Sequence, residues 1–500
     1  METAAIGKKD GRFIRDILNQ KHFKHLKYKF IIEGFPPWLL IRLPLNSIQI
    51  KDDQESVFGF CHFATNGAKI HYDTGVHLEY ATPEGFGPHF AAQYEKEGER
   101  TLAEAVAGAN QKWEGDGLSL RLFKNNLDIL GNSYGNHESY LVVRNSKITS
   151  FSKLVDTLLS FFASRHLFVG SGWITFLSSG KPCFNLSQRA RVITDISSGS
   201  TVKGRGIINT KDEVLADKEK YLRLHIIIGD GVMAESAMLL KYGATSMMLE
   251  LVETGFLDQD PCFLAYPIDA MRHLNKDSTL KNTISTIDGP LNIIDIQEKN
   301  LEKAEEYFFT ERKPDKLEKK ILALWRLVVD RARASRPHEA LAPYIDWAAK
   351  KLFCEKDLIK RGYGLDVKRD MKIVVGKKER TAEHHLKAID FQFGELAPTG
   401  IMNVLAGKGE LKREIADTEV GAYTRAPAAN TRAYPRHLSL VGINERINAG
   451  DKILSLSGDW THVIFNGCTV FKCLDPYEVH PAVPSSKPPR EGPTVNYSEW

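Results

Sequence analysis

RGIINTKDEVLADKEKYLRLHIIIGD, residues Arg205 to Asp230, places two apolar strands on either side of an acidic, exposed turn. The first strand, Gly206-Ile207-Ile208-Asn209, is short; the second runs from Arg223 and is punctuated by Gly229. Side chains alternate across a strand, so Arg223 and His225 share one face and Leu224, Ile226 and Ile228 the other. A sheet built this way has its back on a core and its front open. That front suits a charged ligand and equally suits plain solvent, and the stretch alone leaves both readings standing.

Working outward, residues 234–254 (AESAMLLKYGATSMMLELVET) are apolar on most faces, which predicts a well-buried helix. Its methionines read as core filling. Upstream, residues 153–165 carry Leu154, Val155, Leu158, Leu159 and Phe162 as a wide apolar stripe, with Ser150 or Ser152 placed to cap the helix. Phe184-Asn185-Leu186-Ser187-Gln188-Arg189 predicts a strand ending in an arginine. Asn136–Val143 predicts another, with His137 and Glu138 at its entrance; adjacent residues face opposite ways unless the backbone bulges there. Earlier still, the turn signal Asn66-Gly67 leads into AKIHYDTGVHLEYAT. If that segment is extended, Asp73, His77 and Glu79 lie on one face. Such a group is either a metal and acid/base constellation or a solvated edge. Residues 95–113 read as an amphipathic helix.

Toward the C-terminus, residues 298–360 are helical and charged, with Trp325 and Trp347 as core anchors. Beyond about residue 380 the texture changes to short segments rich in Gly and Pro. There the runs around residues 461–467 and 469–472 predict a hairpin joined by a tight turn. Neither GxGxxG nor GxxxxGK[ST] stands near Gly170-Ser171-Gly172, so that loop is not read as a phosphate cradle.

Bulk properties set bounds. The 500 residues are 42% hydrophobic and 26% charged, with a net charge of +4. That composition is typical of a soluble globular protein and gives no sign of nucleic-acid binding. The six cysteines include no CxxC pair, which fits reduced thiols in the cytoplasm. No apolar run reaches the ~18 residues a bilayer span requires, and the basic N-terminus lacks the apolar segment of a signal peptide.

Taken together, NGAKIHYDTGVHLEYAT, FKNNLDILGNSYGNHESYL, FNLSQRA, RGIINTKDE, YLRLHIIIGD and AESAMLLKYGATSMMLELVE resemble the Pup ligase/depupylase family. YIDWAAKKLF, NTRAYPR and DWTHVIF extend the likeness, which covers roughly residues 57–475. The resemblance implies an α+β fold: a glutamine synthetase-like curved antiparallel sheet cradle backed by helices, with a smaller C-terminal domain. The implied division is a catalytic domain at 57–380, the small domain at 381–478 and a disordered tail at 479–500, after a poorly legible segment at 1–56.

The family joins the C-terminal glutamate side chain of Pup to substrate lysines through an acyl phosphate, using ATP and Mg2+, and so marks proteins for a proteasome. On that reading Asp73 is the acid/base residue. Glu79, His137, Glu138 and His225 hold metal, and Arg189, Arg205 and Arg223 contact the nucleotide. Pup or a Pup-like modifier and lysine-bearing proteins are the partners; nucleic acid and membrane are not.

Three departures bear on activity. The family's first-strand Gly-x-Glu-x-Glu motif is missing, Glu33 being the one near candidate. Val214-Leu215 stands in place of Pro-His, and Gly231-Val232 in place of a polar pair. RGIINT, FNLSQR and NTRAYPR lean toward a depupylase or deamidase using the same cradle, and the departures toward an inactive Pup-binding homologue; these are the alternatives to the ligase.

Overall fold

The computed structural model describes residues 2–8, 47–52, 60–64, 66–73, 77–112, 119–128, 131–144, 150–200, 203–211, 215–423 and 426–477. Six strands open the chain: β1 (Glu2–Lys8), β2 (Ser47–Asp52), β3 (Phe60–Ala64), β4 (Lys69–Asp73), β5 (His77–Ala81) and β6 (Ser119–Phe123). They are followed by β7 (Glu138–Val143), the hairpin β8 (Trp173–Phe176) and β9 (Pro182–Asn185), then β10 (Ile193–Ser198), β11 (Arg205–Asn209) and β12 (Tyr221–Ile226). Two small hairpins come next, β13 (Thr283–Thr286) with β14 (Gly289–Asn292) and β15 (Lys372–Val375) with β16 (Lys378–Thr381). The last strands are β17 (Leu456–Gly458), β18 (His462–Phe465) and β19 (Cys468–Lys472).

A nine-stranded sheet runs β19-β18-β17-β2-β3-β4-β5-β1-β6, and a four-stranded sheet runs β10-β11-β12-β7. With helices interleaved between and after the strands, this is the expected α+β class. The large sheet is antiparallel except where β17 runs parallel to β2. Residues 456–472 thus extend the edge of the same sheet, and around them Cys61, Phe63, Leu440, Ile443, Trp460 and Phe465 form a second apolar cluster beside the main core. β18 and β19 make the expected hairpin, with Asn466 (φ 51°) and Gly467 (φ 80°) both left-handed as a tight two-residue turn requires.

The segment expected as one extended run from residue 68 is instead a hairpin, in which β4 and β5 pair with Asp73 opposite His77 and His71 opposite Glu79. Cross-strand partners share a face, so the shared face of Asp73, His77 and Glu79 arises from register across a turn rather than from parity along a single strand. β1 lies between β5 and β6, with Glu2 opposite Glu79. The first-strand place in the sheet is therefore filled by residues 2–8; Glu33 and the apolar run around residues 29–34 lie outside the described residues.

The buried helix spans Glu235–Thr254 and stops at Gly255, whose φ of 76° supplies the left-handed cap. The Leu222, Leu224 and Ile226 face of β12 belongs to the same core as Ala237, Met238, Leu240 and Met248 of that helix, as the alternation predicts. The stripe at 153–165 divides into Phe151–Thr157, Leu159–Ser164 and His166–Val169, and Ser150 caps the first by accepting from the Lys153 amide at 3.1 Å. The run after Pro182 ends its strand at Asn185, so Arg189 sits on a short 3-10 turn (Arg189–Arg191) rather than at a strand end.

Candidate active site

Two groups of polar side chains stand out, one on each sheet. On the large sheet, Lys69, His71 and Asp73 of β4 and Glu79 of β5 occupy one face by register, while Ile70, Leu78 and Tyr80 fill the core on the other. Asp73 is half-buried and has no hydrogen bond or ion pair among the described residues. Glu79, also half-buried, faces His71, whose Nε2 is 3.7 Å from its Oε2. Lys69 is fully buried, with Nζ 5.9 Å from the centre of the Trp460 ring, which brings the C-terminal strands to the rim of this face.

On the four-stranded sheet, His225 lies opposite Ser139 of β7 and Asn209 of β11, and Arg223 opposite Leu141. Arg223 donates from Nε to Ser139 Oγ at 3.1 Å. The His225 and His137 rings meet edge to face at 5.1 Å. Burial, then His225, then the Arg189 guanidinium hold the His137 imidazole well below its usual pKa; at neutral pH it is uncharged and can act as a lone-pair donor. Asn209 is buried, its Oδ1 accepts from the Lys211 amide at 2.8 Å, and its Nδ2 has no partner among the described residues. Arg205 is half-buried at the start of β11 and shares the Asn209 face by alternation.

Arg189 is differently placed from the other arginines. Its guanidinium is buried, donating from Nε and Nη2 to the Ile227 carbonyl (3.0 and 2.8 Å) and from Nη1 to Ser133 Oγ (2.8 Å) and the Tyr134 carbonyl (3.3 Å). The turn carrying it hangs on Asp230, whose carboxylate accepts the amides of Ser171, Gln188 and Arg189 and the hydroxyls of Ser171 and Ser187 at 2.8–3.0 Å. The Gly-Asp at the end of the opening stretch therefore builds the floor on which FNLSQRA rests.

Glu138, expected among the metal ligands, is turned away from that group. It is buried in a bidentate pair with Arg165 (2.5 and 3.0 Å) and accepts from Tyr140 Oη at 2.8 Å. The strand starts at Glu138 itself, so no bulge brings it round beside His137; both of its oxygens are engaged by neighbours.

Two of the sequence departures are accommodated in place. Gly231 donates to Asn126 Oδ1 (2.7 Å), and a Cβ there would approach Lys124 Cγ at 3.1 Å. The Val232 carbonyl accepts from Lys124 Nζ at 2.7 Å. Lys124 is itself buried between Glu95 (2.7 Å) and Glu99 (2.5 Å). Leu215 adopts a left-handed backbone (φ 51°), and its carbonyl accepts from Arg432 at 2.7 Å; Val214 lies outside the described residues.

The residues that escaped the sequence reading are Lys69, His71, Asn209 and Trp460. Lys69 and His71 share the parity of Asp73 and Asn209 that of Arg205, so alternation alone would have reached them. Trp460 stands in the matching run DWTHVIF, but only the long-range pairing of β17 with β2 brings that run near this face.

Among the described residues no three metal-type side chains converge on one point. Glu79 offers a carboxylate facing the His71 ring, which suits a hard cation that keeps water and phosphate oxygens in its shell, and on the other sheet His137 offers a neutral imidazole. The arginines and the Asn209 amide offer donors suited to phosphate oxygens.

A family model described as "Pup-ligase protein" matches residues 38–464. Curated proteins named Pup--protein ligase are similar: that of Kineococcus radiotolerans is 33% identical over 422 residues, 83% of this chain and 87% of the relative. That of Actinosynnema mirum is 34% identical over 427 residues, with the same shares. Among solved structures, the complex of Pup with its ligase PafA matches with a TM-score of 0.73 at 25% identity, covering 96% of this chain and 88% of that one. The PafA complex with ADP matches with a TM-score of 0.71 at 26% identity, covering 91% and 93%.

Proposed function

The chain belongs to the Pup-ligase family, and on that premise we propose that it joins the C-terminal glutamate side chain of Pup, or of a Pup-like protein, to substrate lysines in an ATP-driven reaction. The conjugates so formed would be marked for a proteasome. The observation that carries the reading is the β4–β5 hairpin, a stretch inside the family match in which the Asp73 carboxylate has no protein partner among the described residues.

The chemistry assigns work to each group. A carboxylate is a poor electrophile, so the modifier's glutamate is first converted to an acyl phosphate with the γ-phosphoryl group of ATP. Arg223 and Arg205 are proposed to contact phosphate, since the guanidinium fork matches its oxygens. Arg189, with its guanidinium directed to the Ile227 and Tyr134 carbonyls, is proposed to hold the floor in shape. Glu79, with His137 and His225, is proposed to hold Mg2+, which when bound would offset the charge on the transferring phosphoryl group. The attacking lysine is mostly protonated at neutral pH. Asp73 is proposed to take its proton at or before attack on the acyl carbon, leaving an isopeptide bond and free phosphate.

No helix among the described residues is long and apolar enough to cross a membrane, and Cys183, Cys262, Cys354 and Cys468 are free thiols. Both facts support the proposed cytoplasmic setting.

Purified protein supplied with Mg-ATP, a modifier ending in Gly-Gly-Glu and a lysine-bearing protein should yield an isopeptide conjugate by mass spectrometry, with ADP released. Cleavage of a preformed conjugate without net conjugation would reverse the proposed direction. Modifier binding with neither activity would leave an inactive homologue.

A further inference from the structure

Residues 356–381 carry nine basic and four acidic side chains, an excess larger than the +4 of the whole 500-residue chain. They run from the end of the Asp346–Lys360 helix through a loop into the β15–β16 hairpin. The β8–β9 hairpin joins the same surface, because the Gly180 carbonyl accepts the Arg369 amide at 2.7 Å. Arg361 is engaged by Asp357, and Arg369 lies 3.8 Å from Glu383. Lys181, Lys368, Lys372, Lys377 and Lys378 are exposed, with no ion pair among the described residues. Leu365, Met371 and Val374 stand among them, each about half exposed. Where the β8–β9 hairpin meets the helix, a pocket of about 340 Å3 is walled by Leu177, Phe184, Leu358 and Leu365, with Lys276 and Lys351 in its lining. Its two carboxylates are already engaged. Glu355 is held by Lys351 and, at 2.9 Å, by Arg336 and His338, and Asp277 accepts the amides of Thr279, Lys281 and Asn282 at 2.7–2.8 Å. Tyr363, two residues from Leu365 in the pocket wall, accepts the Val374 amide at 3.0 Å, which ties pocket and hairpin into one surface.

We infer that this face is a docking surface for an acidic segment of a partner protein, which lies along the lysines of the β15–β16 hairpin and seats one large apolar side chain in the pocket. Charge complementarity selects the sign: unpaired cations gathered from three separate stretches of chain speed the approach of an anionic partner and repel a basic one. A single exposed ion pair contributes little, so the apolar side chain supplies the hold and the carboxylates the selection. The concave wall and the lysines lie side by side, an arrangement that a peptide carrying both carboxylates and an apolar anchor satisfies. A flat anionic bilayer would meet the lysines and leave the pocket empty. Exposed apolar side chains set among unpaired charges are the mark of such a surface.

The test is fluorescence anisotropy on the full chain with a labelled peptide of glutamates around a single central Phe, read without nucleotide or turnover and so independent of the ligase reading. The expected result is saturable binding that weakens about tenfold when the Phe of the peptide is replaced by Ser, the loss of one buried apolar side chain. The double variant Lys372→Glu, Lys378→Glu should weaken it by about tenfold as well. Should that variant fail to fold, as judged by circular dichroism, Lys276→Glu at the pocket serves the same comparison. Equal binding of the peptides with and without Phe, affinity unchanged in the variants, or no binding at all overturns the inference. Phosphatidylglycerol vesicles bound through Lys372 and Lys378 while the peptide is not would assign the face to a bilayer and overturn it. Self-association in analytical ultracentrifugation that the same variant abolishes would assign it to a second copy, with the same consequence.

Discussion

Asp73 and Glu138 carry the same functional group, and their neighbours give them opposite roles. Asp73 has no protein partner among the described residues, whereas Glu138 is enclosed by Arg165 and Tyr140. Asp73→Asn should lower conjugation by roughly 10²–10⁴-fold with the thermal transition unmoved, as followed by gel shift and calorimetry. Arg165→Ala should instead destabilise the fold by about 3–5 kcal/mol, because a buried carboxylate is left without its counter-ion. Chemical denaturation measures that loss, and an Arg165→Met, Glu138→Gln pair should recover much of it. The sequence made Asp73 legible through its place in a long matching segment. It made Glu138 look like a site residue because adjacency to His137 in sequence says nothing about which way each side chain leaves the strand.

At the scale of elements, periodicity was a good guide wherever one face is buried. The Glu235–Thr254 helix, the Leu/Ile back of β12 and the C-terminal hairpin all follow from alternation or helical spacing. It was a poor guide where a turn interrupts the pattern. The Asp73 segment reads equally well as one strand or as two, and only pairing distinguishes them. The β18–β19 turn offers a local check. Gly467 adopts φ 80° with open space where a Cβ would sit, so Gly467→Val meets backbone strain rather than a clash. It should cost about 1–2 kcal/mol, measurable as faster hydrogen exchange in residues 462–472 before any change in the Glu235–Thr254 helix.

For the whole molecule, the decisive contact is one no local pattern announced. Arg432 and Arg436, from NTRAYPR, close on Glu84: Arg432 Nε reaches Oε1 at 2.7 Å, and Arg436 bonds both oxygens at 3.0 and 2.6 Å. Arg436 also donates to the Gly67 and Trp460 carbonyls, and Arg432 to those of Leu215 and Leu474. Burial would raise the Glu84 carboxyl, but Arg436 and Arg432 outweigh it and hold the group down at about 2. A depressed carboxyl contributes stability in full above its unfolded value, near 4.5, and loses it as pH falls through the folded one. The C-terminal strands should therefore loosen between about pH 4.5 and 2, reported by Trp460 fluorescence, and Glu84→Gln should remove that step. The large sheet takes its strands from residues 2–8 at one extreme and 468–472 at the other, with β1 between β5 and β6 and β17 against β2. Its contact order is correspondingly high, and such topologies form slowly because distant segments must meet before their pairing is rewarded. On the ribosome, a nascent chain has to release its residues through 472 before this sheet can be completed. Translation pauses before that point would then prolong a state with open strand edges, and those are the edges through which chains aggregate.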